Sequence, residues 1–168
     1  MPPADEADDR PDGFHAGSVP MGGLAVGRDE GTLRTFLGSC IGVALHDRRL
    51  RIAGLAHVVL PRAAGRSDTP GKYADTAVPE LLRMMTPLAG GAPLRPTAKL
   101  VGGARMFAFR SALPIGEENL AAVEEVLAAL AIPVLGRSCG GTRGRRVSFD
   151  IATGAVTVET VGEPPQSL

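Results

Sequence analysis

The sequence predicts a mixed α/β sandwich in a single domain, and three observations lead to that prediction. The chain has 168 residues, and one domain usually contains roughly 100–200 residues. Apolar residues make up 44% and charged residues 21% of the chain, which is typical of a globular protein with its own core. Along the chain, strand-like segments come first and are followed by a helix pattern, a strand, a second helix pattern and further strands.

The beginning of the chain differs in composition from the rest. Residues 1–13 contain five acidic side chains and one basic one, a net charge of −4, which leaves +4 on the rest of a chain whose total is zero. This segment is also rich in Pro, Gly and Asp. We therefore expect residues 1–17 to form a disordered acidic extension and residues 18–168 to form the single folded domain.

Composition also argues against several functional classes. Aromatic residues are only 4% of the chain, and the charge surplus is small, so we expect no nucleic-acid partner. No apolar run approaches the roughly 20 residues that span a bilayer, and no secretory signal is present. We therefore expect a cytoplasmic protein without membrane insertion. The two cysteines and three histidines show no ligand-like spacing, so we expect no metal and no cofactor.

Four strand-like segments precede the first helix pattern. In the third, Ile41, Val43 and Leu45 alternate with small residues, which is typical of a strand with one apolar face. The charged residues Arg48 and Arg49 then predict a turn between the third and fourth segments. The four segments are residues 19–28, an edge strand interrupted by Pro and Gly, residues 32–37, residues 40–46 and residues 50–60.

The second half of the chain predicts two helices among further strands. Thr69 and Pro70 have the residue types of an N-cap and a first helical position, and Pro79 predicts either a kink or a restart of that helix. The first helix buries Ala74, Ala77, Val78, Leu81, Leu82 and Met85, and the second buries Leu120, Val123, Val126, Leu127 and Leu130. The predicted helices span about 69–86 and 117–130, and the strands span 97–101, 133–138, 145–151 and 155–161.

Cys40 and His57 are the residues whose types and positions point to chemistry. Cys40 follows a tight turn at Gly38, and His57 lies in an otherwise apolar strand. If Arg48 and Arg49 form a two-residue hairpin turn, Cys40 lies directly opposite His57, and opposed residues share a face with Cβ atoms about 4.5–5.5 Å apart. A slip of one residue would instead turn His57 to the other face. A thiol beside an imidazole is the minimum arrangement for thiolate acyl chemistry.

Nucleophilic chemistry of this kind usually needs two further groups. A third side chain orients the histidine, and Thr35 and Ser39 are the nearby hydroxyls. Hydrogen-bond donors stabilise the oxyanion, and the backbone N–H groups of residues 38–40 could provide them. Each residue also has a purely structural interpretation, since a free cysteine is often a small buried apolar residue.

Five motifs, in this order along the chain, resemble those of the CheD family of chemoreceptor glutamine deamidases. The separation of seventeen positions from Cys40 to His57 is also similar to the family's spacing, and the resemblance covers about residues 18–162. The motifs are Leu37-Gly38-Ser39-Cys40, Ala56-His57-Val58-Val59-Leu60-Pro61, Thr69-Pro70-Gly71-Lys72-Tyr73-Ala74-Asp75, Val101-Gly102-Gly103-Ala104 and Gly140-Gly141-Thr142-Arg143.

The resemblance implies hydrolytic deamidation of specific glutamines to glutamates on the cytoplasmic helices of methyl-accepting chemotaxis receptors. It implies a layered β-sheet sandwich flanked by helices, resembling toxin-type cysteine deamidases. Cys40 takes the place of the nucleophile and His57 that of the general base. The family pattern has a threonine six residues before the cysteine, where this chain has Arg34. Either Thr35 serves through a local shift, or another group orients His57.

Two alternatives to this activity remain open at this stage. The first is a non-catalytic chemotaxis regulator that binds receptors or a CheC-type phosphatase, with Arg34 marking a chain kept for binding. The second is a generic thiol hydrolase or redox protein in which Cys139 pairs with Cys40. We expect Cys139 to be passive, because structural disulfides are rare in the cytosol. We also expect the arginines at positions 143, 145 and 146 to form a solvated basic cluster.

Overall fold

Two β-sheets pack face to face in the computed structural model, and two helices cover one of them. The model describes residues 17–65, 69–106 and 114–168. The predicted acidic extension therefore lies outside the described residues, apart from Gly17. The layered arrangement of sheets and helices confirms the predicted mixed α/β fold.

The described residues contain a five-stranded and a four-stranded sheet. The first has the strand order β1-β4-β3-β5-β6, and the second has the order β2-β7-β8-β9. All neighbouring pairs are antiparallel except β5 and β6, which are parallel. The strands are β1 (Leu24–Arg28), β2 (Thr32–Leu37), β3 (Ile41–Asp47), β4 (Ile52–Val58), β5 (Thr97–Gly102), β6 (Val134–Cys139), β7 (Arg145–Asp150), β8 (Val156–Thr160) and β9 (Gln166–Ser167).

The five-stranded sheet separates two apolar layers. Alternate residues of β3, such as Val43, pack against the helices, while the others, such as Ala44, pack against the four-stranded sheet. Every residue of β3 and β4 is therefore buried. On β2 only every second side chain is buried, because the outer face of the four-stranded sheet is open to solvent, as at Arg34 and Phe36.

The hairpin between β3 and β4 differs from the prediction. Asp47 pairs with Ile52, so the connection has four residues and not two. The Asp47 carboxylate accepts hydrogen bonds from the backbone N–H groups of Arg49 (3.0 Å) and Leu50 (3.1 Å). Arg51 completes the turn with a positive φ of 54°. A side-chain acceptor at the start of a turn stabilises such local geometry, and this longer turn shifts the strand register by two residues.

The segment 17–23 connects the two sheets. Residues 19–28 were predicted as one edge strand, but only Leu24–Arg28 pairs in the sheet, at the edge next to β4. Val19 instead donates its N–H to the Arg34 carbonyl on β2 (2.7 Å). Gly22 donates to the His57 carbonyl (2.9 Å), and His57 donates to the Gly23 carbonyl (3.1 Å). The segment therefore fixes β2 of one sheet beside β4 of the other.

The first helix, α1, spans Ala74–Met85 and follows a short 3-10 turn at Pro70–Lys72. It passes through Pro79 without a break, so the predicted restart does not occur. Its buried residues match the prediction except for Leu82, which is half-buried.

The second helix, α2, spans Ile115–Ala129, and Val123 and Leu127 are buried as predicted, while Leu120 and Val126 are half-buried. Leu130 was predicted to be buried, but it lies beyond the end of α2 and is 42% exposed. Neither helix in the described parts of the chain combines the length and apolarity needed to cross a membrane. The buried residues of α2 are Gly116, Asn119, Ala122, Val123 and Leu127.

Candidate active site

Cys40 and His57 lie on the same face of the five-stranded sheet, but not directly opposite each other. His57 pairs with Gly42, so the predicted pairing of Cys40 with His57 is wrong by two residues. Because side chains alternate with a period of two, this shift keeps both side chains on the face toward the four-stranded sheet. Extending the register places Cys40 opposite Val59, which makes Cys40 and His57 diagonal neighbours. Such neighbours are about 7–8 Å apart, with somewhat shorter Cβ separations.

A glycine turn holds the segment that carries Cys40. Gly103 donates its N–H to the Cys40 carbonyl (2.9 Å), and Ala104 donates to the Gly38 carbonyl (3.0 Å). Gly102 has a φ of 112°, and a Cβ at this position would collide with the Cys40 carbonyl oxygen. Only glycine allows this approach. The position of the cysteine therefore depends on the Val101–Ala104 motif, which comes about sixty residues later in the chain.

The Cys40 thiol is largely covered and protonated at neutral pH. The residue is 8% exposed and forms no disulfide. Burial raises the pKa of the Cys40 thiol above its usual value, because a low-dielectric environment disfavours the thiolate. Its Sγ makes no hydrogen bond to His57. Hydrogen bonds between a base and a nucleophile are often long in the absence of substrate and tighten when the substrate binds.

Thr35 and Val19 fix the protonation of the His57 ring. Thr35 Oγ1 lies 2.8 Å from the Val19 carbonyl oxygen and 2.8 Å from His57 Nδ1. A carbonyl only accepts, so the single hydroxyl proton of Thr35 is donated to Val19. Thr35 Oγ1 must then accept a hydrogen bond from His57 Nδ1–H. The lone pair of the neutral ring is consequently on Nε2, the atom that can act as a base.

Burial also keeps the His57 imidazole neutral. The residue is 3% exposed, and this burial lowers its pKa below the usual 6.5, although the Val19 carbonyl acts in the opposite direction. With a raised thiol pKa and a lowered imidazole pKa, the resting site contains a neutral thiol and a neutral imidazole.

The alternation of side chains on β2 explains why Thr35, and not Arg34, meets the histidine. Thr35 is 4% exposed and points toward the five-stranded sheet. Arg34 is exposed on the opposite face. Of the two alternatives from the sequence, the structure therefore brings Thr35 to His57.

The cysteine face of the sheet is closely packed beside Gly42. A Cβ at Gly42 would lie 2.8 Å from Leu37 Cδ1. The Leu37 side chain therefore fills the position next to His57. A cavity of about 260 Å³ lies instead farther along β3, near Ala44, His46 and Lys99.

Cys139 and Arg145, two other residues considered in the sequence analysis, both contact backbone carbonyls in the structure. Cys139 Sγ contacts the Leu100 carbonyl oxygen (3.5 Å), and burial raises its pKa to about 11. Cys139 and Cys40 are both free thiols. The predicted solvated arginine cluster is wrong for Arg145, which is 8% exposed. It donates to the Gly102 carbonyl (3.2 Å), which also accepts the Gly140 N–H (3.0 Å).

Sequence reasoning missed two contributors to the site. One is the segment 17–23, whose Val19 carbonyl orders Thr35 and His57. The other is Asn119 on α2, which donates to backbone carbonyls near both Cys40 and His57. Asn119 is a polar residue among the buried, mostly apolar residues of α2, and this interruption was the sequence signal that could have indicated a role for it.

Comparison with known proteins identifies a family model and several relatives. Residues 59–160 match the family described as CheD chemotactic sensory transduction. A probable chemoreceptor glutamine deamidase CheD of Desulforamulus reducens is 43% identical over 133 residues, which are 76% of this chain and 80% of the relative. Another, from Methanococcus vannielii, is 40% identical over 147 residues, covering 86% of this chain and 95% of the relative.

A third relative is the chemoreceptor glutamine deamidase CheD of Thermotoga maritima. It is 39% identical over 145 residues, which are 86% of this chain and 91% of the relative. Because the alignment covers 86% of this chain, the part that it leaves out is too short to reach Thr35 from the beginning of the chain. Thr35, Cys40 and His57 therefore all lie within the aligned region. The similarity therefore extends over the candidate site as well as the fold.

Proposed function

This chain belongs to the CheD family, and we propose that it is a chemoreceptor glutamine deamidase. Its substrates are specific glutamine side chains on chemotaxis receptors, and its products are glutamate and ammonia. Cys40 acts as the nucleophile, His57 as the general base and acid, and Thr35 as the group that orients His57. The relatives named as chemoreceptor glutamine deamidases support the reaction.

The observation that carries the residue assignment is the hydrogen-bond chain from Val19 through Thr35 to His57. It supports a single tautomer with the basic lone pair on Nε2. The same tautomer logic operates in Ser-His-Asp triads, where the third member holds the ring and not the proton. A neutral acceptor such as Thr35 leaves the ring weakly basic, which suits a site whose resting state has no ion pair.

The first half of the reaction forms a thioester. His57 Nε2 removes the Cys40 proton as Sγ attacks the carbon of the glutamine carboxamide. The carbonyl π electrons move to oxygen, giving a tetrahedral oxyanion. When this intermediate collapses, the C–N bond breaks and the proton held by His57 goes to the departing nitrogen, which leaves as ammonia.

The second half hydrolyses the thioester. A water molecule gives its proton to His57 Nε2 while its oxygen attacks the thioester carbon. The C–S bond then breaks, and the His57 proton returns to Cys40 Sγ. The balance is one water consumed and one ammonia released for each glutamine converted, with no oxidation or reduction.

Backbone N–H groups beside the nucleophile are suited to stabilise the oxyanion. The Cys40 carbonyl is occupied by Gly103. Among the described residues, however, the N–H groups of Ser39 and Cys40 donate to no backbone carbonyl. Donors in this position, held by the glycine turn, can bind negative charge without reorganisation.

A purely binding role is the weaker candidate. Its motivation was Arg34 at the position of the expected threonine, but Thr35 occupies the place beside His57. Binding of a CheC-type phosphatase and a cytoplasmic location stay predictions.

Each glutamate formed lowers the receptor charge by one, which changes the interactions between neighbouring side chains of the receptor helices.

The decisive experiment compares Cys40→Ala with the matched control Cys139→Ala on chemoreceptor cytoplasmic fragments. Mass spectrometry follows the small mass gain that accompanies conversion of an amide to an acid. We expect Cys40→Ala to abolish conversion and Cys139→Ala to retain it. Undiminished conversion by Cys40→Ala would remove the proposed nucleophile, and no conversion by the wild-type protein would remove the proposed activity.

A further inference from the structure

Asn119 is a buried polar side chain on the apolar face of α2. It is 0% exposed, and its Nδ2 donates to the carbonyl of Val59 (2.9 Å) and to that of Ser39 (3.3 Å). Ser39 directly precedes Cys40 in the chain. Val59 follows His57 by two residues and lies opposite Cys40 when the strand register is extended. We refer to this pair of hydrogen bonds as the Asn119 bridge.

Close packing at the start of α2 brings Asn119 to this position. A Cβ at Gly116 would lie 2.6 Å from the Gly103 carbonyl oxygen, so glycine is needed for the helix to come this near. Gly103 in turn donates to the Cys40 carbonyl. The first turn of α2, the glycine turn and the nucleophile segment therefore form one continuous set of contacts. Asn119, one helical turn after Gly116, extends this set to the end of β4.

The chemistry of the amide indicates that its two donors are what the site uses. A carboxamide has two N–H donors and one oxygen acceptor, and here both donors face backbone carbonyls. Among the described residues no donor reaches Asn119 Oδ1, which is buried. A buried acceptor without a partner is unfavourable, and an apolar side chain would avoid this cost. The Nδ2 contacts account for an asparagine at a position where the helix is otherwise apolar.

We propose that Asn119 is a positioning residue of the active site, which sets the separation of Cys40 and His57 through the Asn119 bridge. This inference rests on the proposed function, since positioning matters only if the two side chains act together. Asn119 reaches the carbonyls from the helix side of the sheet, whereas both reactive side chains face the other sheet. It therefore acts through the backbone and does not contact the substrate.

The test compares Asn119→Ala with Val123→Ala, a matched control one turn further along the same helix. Val123 is also 0% exposed but touches neither strand end through hydrogen bonds. Thermal melting records the stability lost by each variant. Asn119→Leu fills the volume without the donors and replaces the alanine variant if that variant does not fold. The two readouts are kcat and KM on receptor fragments, and the pH dependence of Cys40 alkylation by iodoacetamide, mapped by peptide mass.

In the wild-type protein, we expect part of the pH dependence of Cys40 alkylation to come from His57, so that this part disappears in His57→Ala. We expect the Asn119 variants to lose this part and to lower kcat about 10- to 100-fold with KM nearly unchanged, the scale of an ångström-sized misplacement. Val123→Ala should lose as much melting temperature as the Asn119 variants, but its kcat and its alkylation profile should stay as in the wild-type protein.

Unchanged kcat and an unchanged profile in the Asn119 variants would overturn the inference. So would equal losses in Val123→Ala, or a wild-type profile that does not depend on His57. If the wild-type protein converts no glutamine, the proposed function fails, but the alkylation arm still decides whether Asn119 positions Cys40 against His57.

Discussion

Replacing Thr35 with valine tests how the site orients its histidine. Valine has nearly the shape of threonine but no hydroxyl, so it removes both 2.8 Å hydrogen bonds of Thr35 Oγ1. The His57 Nδ1–H and the Val19 carbonyl are then both buried without this partner. His57 is no longer held in one tautomer, and its Nε2 carries the lone pair in only part of the population.

The size of the effect follows from these two hydrogen bonds. A buried polar group that loses its partner costs about 1–3 kcal/mol. The bond to His57 bears on the reaction, and about 1–3 kcal/mol corresponds to a kcat lower by about 5- to 150-fold, since 1.36 kcal/mol is a factor of ten. Both bonds bear on folding, so the free energy of unfolding should fall by roughly 2–6 kcal/mol. KM should stay nearly constant, because the Thr35 hydroxyl is buried and its hydrogen bonds go to Val19 and His57.

The assay is steady-state deamidation of a chemoreceptor fragment, with ammonia release measured beside urea unfolding. Thr35→Ser is the matched control, because it keeps the hydroxyl and should retain most of kcat. Arg34→Ala changes the neighbouring exposed residue and should have little effect on either measurement. If Thr35→Val kept the wild-type kcat, or if Thr35→Ser lost as much as Thr35→Val, the orienting role of the hydroxyl would be refuted.

Two further predictions concern His57 and the glycine turn. Burial lowers the pKa of His57 in the folded protein, so the unfolded chain binds this proton at a higher pH than the folded one does. The contribution of His57 to the free energy of unfolding is therefore complete above pH 6.5 and declines as the pH falls toward the folded-state pKa. Urea unfolding across this range should show the decline in the wild-type protein and a smaller one in His57→Gln; equal slopes would contradict it. Gly102→Ala should lower both the melting temperature and kcat, because its Cβ would meet the Cys40 carbonyl. The control Gly90→Ala is also at positive φ (59°) but has open space around it, so it should lower only the melting temperature. Equal kcat in the two glycine variants would show that the turn does not position Cys40.

Local sequence patterns were sufficient for most of the secondary structure. The strand at residues 32–37 was predicted with the bounds that β2 has, because alternation of apolar and polar residues follows directly from the period of a strand. The face that Cys40 and His57 share was also predictable. A register error of two residues preserves the face, whereas an error of one would have reversed it.

The register itself was not predictable from the two arginines. Asp47 accepts backbone N–H groups within the turn, and it also accepts from Arg95 N–H (2.8 Å). The last of these partners is distant in sequence, so the turn length depends on packing that no local pattern contains. The burial of Gly116, Asn119 and Ala122 on α2 was missed for a similar reason, since the first turn of this helix packs against Gly103.

The candidate residue types, their order along the chain and the family resemblance could be read from the sequence alone, because they depend only on which side chains are present and how they are spaced. The contacts of Thr35 with His57 and Val19, and those of Asn119 with the carbonyls of Ser39 and Val59, depend on the tertiary structure. These contacts join segments 16 to 80 residues apart. Hydrogen bonds act over about 3 Å, so whether such segments meet is set by the packing of the two sheets and α2, and not by the spacing of residues along the chain.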